Sequence, residues 1–131
     1  MNRIVIINLI LFSFCCHEYG QEYSDPGIAF DTLIHDFGTL NKGSDASCNF
    51  SFENRSENPM VITSVNSSCG CAVTEWTREP VMPGASGNVS VKYNTRITGT
   101  FHKTITIHHS QNSRPVVLTI QGTVIKPRKK Q

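Results

Sequence analysis

Cys48-Asn49-Phe50-Ser51-Phe52-Glu53-Asn54 alternates apolar and polar residues one by one. Successive side chains of a β-strand point to opposite faces, so Cys48, Phe50 and Phe52 share one face and Asn49, Ser51 and Glu53 take the other. This predicts a half-buried strand over about Ala46–Asn54. The same period recurs on both sides of it. Upstream lie Ile28–Phe30 and a continuation at Ile34–Phe37. Downstream lie Met60–Val65, then Gly87–Asn94 with Val89, Val91 and Tyr93 inward, then Thr100–His108 with Ile105 and Ile107 inward. The last is Val116–Ile125, burying Val116, Leu118, Ile120 and Val124. Gly, Pro, Asn and Ser separate the runs, and the stretch Gln111–Pro115 reads as a turn. No stretch holds a helical period for three turns.

About seven short strands in ~100 residues, each with one apolar face, need two sheets packed together. The sequence therefore predicts an all-β fold, an immunoglobulin-like β-sandwich. The Cys–Trp–Cys pattern of antibody domains is absent, because the strand over Thr100–His108 carries no cysteine to pair with Cys48. The core must hold by apolar burial alone.

The chain of 131 residues supports one domain, and its formal net charge of +2 is too small to point to a nucleic-acid partner. Met1 to Cys16 carries one positive charge and then an apolar run of signal-peptide length. We expect a signal peptide over residues 1–20, a polar linker over 21–27, the sandwich over 28–125 and a basic tail over 126–131. A cut after Gly20 fits imperfectly, since Glu18 is not a small residue; the alternatives are Cys15 or Cys16 as a lipid-anchored cysteine, and a retained N-terminal helix. Cleavage or lipidation exports the protein to the periplasm or cell surface of a bacterium. No second apolar run of that size follows, so no integral membrane span is expected in the mature chain.

An ordered set of residues resembles domain-of-unknown-function family 1573. The set opens with Asp36-Phe37-Gly38 and Phe50-x-Phe52-x-Asn54, continues through Pro59-Met60-Val61-Ile62 and Ser68-Cys69-Gly70-Cys71, and includes Trp76, Pro80, Pro83-Gly84, Gly87, Val91 and Tyr93. It closes with Gly99-x-Phe101-x-Lys103 and Leu118-x-Ile120-x-Gly122-x-Val124. The family is similar to PapD-like and Hydin-type immunoglobulin domains and is common in Bacteroidetes. The resemblance implies an envelope-located β-sandwich with no known activity. Two departures stand out: Ala72 where the family often has Thr, and His108-His109-Ser110 where an Asn-containing turn is usual.

Chemistry concentrates at Cys69-Gly70-Cys71. With Cys48, these are the cysteines outside the leader, so at most one internal bridge forms and one thiol is left over. In an extended strand two residues apart means Cα atoms ~6.5–7 Å apart, the far limit for a disulfide, although glycine lets the chain pinch. Four readings stay open: structural thiols or a local bridge, metal ligands, a redox pair, or a bridge from one of them to Cys48. Thiolates favour copper or zinc, and His108, His109 or Met60 are the candidates to complete such a site. Trp76 reads as core or rim packing. Asn54 begins a loop, and its N-x-S pattern matters only in a secreted eukaryotic chain. No general acid/base pair is visible and no catalytic residue is assigned. The expectation is a non-enzymatic module without a cofactor, binding an envelope protein or glycan or scaffolding there; the alternative is a thiol-based copper, zinc or redox protein.

Overall fold

The computed structural model describes residue 25, residues 27–68 and residues 71–128. Eight strands follow in order: β1 (Ile28–Phe30), β2 (Ile34–Asn41), β3 (Ser47–Asn54), β4 (Ile62–Ser67), β5 (Cys71–Trp76), β6 (Ser86–Tyr93), β7 (Gly99–His109) and β8 (Asn112–Ile125). They form two four-stranded sheets, ordered β1-β3-β6-β5 and β2-β8-β7-β4. The pairings are antiparallel except β2 with β8, which run parallel. The expected signal peptide, Cys15 and Cys16 lie outside the described residues, as does Cys69. No helix among the described residues is long and apolar enough to cross a membrane.

The core is what strand alternation dictates. Phe50 and Phe52 from β3, Val89, Val91 and Tyr93 from β6, Ile105 and Ile107 from β7, and Leu118, Ile120 and Val124 from β8 are all buried between the sheets. Removing this apolar area from water is the main force holding the layers together, at ~25 cal/mol per Å².

Three features depart from the sequence expectation. The first apolar run is divided between layers: β1 pairs with β3 in one sheet and β2 with β8 in the other. The crossing is a local turn in which Asp31 Oδ1 accepts the Thr32 N–H (2.9 Å) and Thr32 Oγ1 donates to the Ile34 carbonyl (2.8 Å). Second, the segment from Cys71 to Trp76 is a full strand, which raises the count from seven to eight. Third, the turn expected over Gln111–Pro115 shrinks to Ser110-Gln111, because β7 and β8 pair as far as His109 and Asn112. Pro115 thus sits inside a strand. The Thr119 N–H donates to the Leu33 carbonyl, so the amide position of Pro115, four residues earlier, faces the same side, where β2 has not yet begun. Its missing N–H costs no ladder bond there.

Asn54 is fully buried at the end of β3. Its Nδ2 donates to the carbonyls of Asn58 and Val81 (both 2.8 Å), and its Oδ1 accepts from Ser56 N–H (2.9 Å) and Ser56 Oγ (2.7 Å). One amide therefore folds the loop after β3 and ties it to the Met60–Val81 bridge.

Candidate functional site

Strand order decides which thiols meet. Cys48 on β3 lies opposite Val91 of β6, and Cys71 on β5 lies opposite Tyr93 of the same strand. Both cysteines are half-buried free thiols packed against the core at one end of the first sheet. Lys103 faces them across the sandwich: it falls on the inward register of β7 between Phe101 and Ile105, and its ammonium favours the Cys71 thiolate. Burial outweighs that attraction and pushes the Cys71 thiol up. Cys48 is pushed up to about 11 from the ordinary 9.0, by burial first and then by the neighbouring Cys71. Thiols held in this direction carry little thiolate at neutral pH and are poor nucleophiles.

A bridge between Cys48 and Cys71 does not fit this register. β6 separates their strands, so their Cα atoms are on the order of 9.5 Å apart before any stagger, against a disulfide limit of about 7 Å. The histidines lie elsewhere. Ser68 N–H donates to the Thr104 carbonyl beside Cys71, while His109 is the last residue of β7. Five residues of strand place it ~16 Å further along. Its buried ring sits with Nε2 3.2 Å from Asp25 Oδ2 and Nδ1 accepting the Gln111 N–H (3.4 Å). Met60 is buried near that end, bridged to Val81, with Ser110 N–H on the Val61 carbonyl next to it. His108 takes the outward register opposite Ser64. The structure thus brings Cys48 to Cys71 and leaves His108, His109 and Met60 apart from them. Among the described residues no three His, Cys, Asp or Glu side chains converge on a metal-sized site.

Lys103 is the member of this corner not singled out as a site residue from sequence. The signal was present: Phe101-x-Lys103-x-Ile105 puts all three on one face.

The second arrangement is the rim of β5. Backbone groups of successive strand residues point to alternate sides. Tyr93 N–H donates to the Ala46 carbonyl, toward β3, so Lys92, Ser90 and Asn88 turn toward β5. Thr77 agrees, donating its N–H to the Asn88 carbonyl (3.0 Å). On β5, then, Ala72 and Glu75 bond to β6, whereas Cys71, Val73 and Trp76 turn their backbone groups outward. The crossover from β4 covers Cys71: its N–H reaches the Ser68 carbonyl and its carbonyl accepts Ser67 Oγ (3.3 Å each). Val73 and Trp76 face out with no backbone partner among the described residues. Trp76 packs its ring on the core, as expected, and carries the Arg78 guanidinium 3.7 Å from its centroid. One edge of the second sheet, β2, is capped by its own side chains: Thr32 Oγ1 donates to the Ile34 carbonyl and Asp36 Oδ1 accepts the Gly38 N–H (2.8 Å). A bulge between Asp36 and Thr39, with Gly38 at φ 67°, bends that strand further.

No curated protein matches the chain. Among solved structures it resembles a protein of unknown function from Porphyromonas gingivalis W83, at 14% identity and a TM-score of 0.65, over 73% of this chain and 46% of that one. It also resembles PapD-like domain 7 of human CEP192, at 9% identity and a TM-score of 0.66, over 79% of this chain and 88% of that domain. A third likeness, to the secreted serine protease VesC of Vibrio cholerae, has 17% identity and a TM-score of 0.61, over 76% of this chain and 23% of that one. The chain spans less than half the length of the Porphyromonas and Vibrio proteins. These likenesses establish the immunoglobulin-like, PapD-like sandwich. A family model described as "Protein of unknown function (DUF1573)" matches residues 28–124, and the chain belongs to that family.

Proposed function

We propose that this domain is a non-catalytic binding or scaffolding module of the bacterial cell envelope, exported to the periplasm or cell surface, that takes up an extended segment of a partner protein along β5. The observation that carries this reading is the outward aim of the Val73 and Trp76 backbone groups, in contrast to the β2 edge of the other sheet, which its own side chains cap. Unpaired N–H and C=O groups on a sheet edge accept another strand, and side chains at alternate positions then supply specificity. The bulge between Val73 and Glu75 limits the register to a short segment. The apolar leader of the sequence supports export.

The test is Val73→Pro, which deletes one outward N–H without removing a bond to β6. An envelope protein retained by the wild-type chain is lost by Val73→Pro and kept by Ile34→Lys on the β2 rim, with both variants melting as wild type. Equal retention by Val73→Pro sinks the proposal.

The convergence of Cys48 and Cys71 favours a second reading, a soft-metal thiol site for copper or zinc that draws on Cys71 and, from the sequence, Cys69. Stoichiometric copper(I) uptake that disappears in Cys71→Ser and Cys69→Ser supports it; unchanged uptake in both variants rejects it.

A further inference from the structure

Asp36, Gly38 and Thr39 of β2, Thr100 and His102 of β7, and Gln121 and Thr123 of β8, widely spaced in sequence, meet on the outer side of the second sheet. A cavity of about 440 Å³ opens there, lined among others by Asp36, Thr100, His102, Gln121 and Thr123. Its floor is backbone. Gly122 lies opposite Phe101, whose ring is buried between the sheets, so a Cβ there would point inward, 3.0 Å from that ring and 3.0 Å from the Gly38 carbonyl oxygen, and the outer face at this position is backbone alone. Its rim is fixed. Asp36 Oδ1 accepts the Gly38 N–H at 2.8 Å, Asp36 Oδ2 accepts Gln121 Nε2 at 3.3 Å, and the Thr100 and Thr123 hydroxyls lie 3.2 Å apart.

We propose that this hollow is a binding site for a neutral sugar residue of a glycan. A carboxylate, an amide, an imidazole and paired hydroxyls offer donors and acceptors in mixture, and a sugar hydroxyl is both at once. The hydrogen bonds from Gly38 and Gln121 hold the Asp36 carboxyl below its usual range, so the rim is anionic at neutral pH. That excludes a phosphate or an acidic sugar, which would need cationic partners. A single carboxylate is too little for a divalent cation, which takes several oxygen ligands. An apolar ligand would strip water from the rim without replacing its hydrogen bonds. The size falls within the ~300–1,000 Å³ range of small-ligand sites. This site lies on the second sheet, away from β5, and stands or falls apart from the strand-addition reading.

The experiment is a ¹H–¹⁵N NMR titration of the full chain with cellohexaose, mannohexaose and chitohexaose, and with polygalacturonate as the acidic counter-probe. The expected result is saturable shifts at the Gly38, Thr39, Gly122 and Thr123 amides with at least one neutral probe. Gln121→Ala, at unchanged melting temperature, weakens that binding about tenfold, since it removes a hydrogen-bonding partner and frees Asp36. Glu53→Ala on the first sheet leaves it unchanged. No saturable shift at those amides with any neutral probe, stronger binding of polygalacturonate, or wild-type affinity in Gln121→Ala overturns the proposal.

Discussion

Replacing Asn54 by alanine removes four hydrogen bonds from one buried amide. The two carbonyls it serves are not orphaned: the single Ser56 hydroxyl proton, freed from Asn54 Oδ1, turns to Asn58 O (2.8 Å), and Val81 O still accepts from Met60 N–H (2.8 Å). The loss is therefore that of the bonds themselves, at about 1 kcal/mol net each, and not a full desolvation penalty. Some of it is recovered as the Ser56 hydroxyl takes up its bond to Asn58 O, which leaves a destabilisation of about 2–4 kcal/mol. For a domain of ~100 residues each kcal/mol moves Tm by ~4–8 °C, so the melting temperature falls by roughly 8–32 °C. Urea unfolding followed by circular dichroism reads the free energy directly. Asn54→Asp sharpens the test, because it keeps the acceptor toward Ser56 but turns an ionised oxygen on two carbonyls. It is worse than alanine at pH 7 and recovers as acid protonates the new carboxyl and restores a donor. A loss under ~1 kcal/mol for alanine, or an aspartate variant no worse than alanine, refutes the role given to this side chain.

Further outcomes follow from the same packing. At pH 8 the Cys48 thiol, held near 11 instead of 9.0, alkylates about a hundredfold more slowly than an unperturbed cysteine; mass spectrometry of the tryptic peptide between Lys42 and Arg55 isolates it from the other thiols. Because its folded value is raised, the unfolded chain loses this proton first as pH climbs above 9.0, and the stability Cys48 contributes is lost on the way to about 11. Unfolding of wild type and Cys48→Ala compared across that window shows a steeper decline for wild type. Gly87→Ala would put a methyl 2.5 Å from Cζ of the Phe52 ring, so it costs roughly 1–3 kcal/mol in the same urea assay despite being a strand-compatible change.

Most strands were legible because their period is local. Phe50 and Phe52, Val89 and Val91, and Leu118 and Ile120 announce an inner face without knowledge of any partner. β5 was harder, since its bulge between Val73 and Glu75 breaks the period: Cys71, Val73 and Trp76 face the core, which is not an every-second-residue pattern. Pro115 argued for a turn, and only the late start of β2 makes a proline tolerable in that strand. The parity of Cys48 was readable, but its nearness to Cys71 depends on the order β3-β6-β5, a long-range pairing that no spacing encodes. Likewise the inward face of His109 followed from strand parity, whereas its contact with Asp25 joins residues 84 positions apart and depends on how the chain enters the sandwich.

Amide hydrogen exchange along β5 tests the open edge most directly. An open β5 edge predicts slow exchange at Ala72 and Glu75, which bond to β6, and fast exchange at Val73 and Trp76 in the isolated protein, with those two slowing when a partner segment is present. Val73 and Trp76 protected as strongly as Ala72 in the protein alone would mean that the edge is already closed.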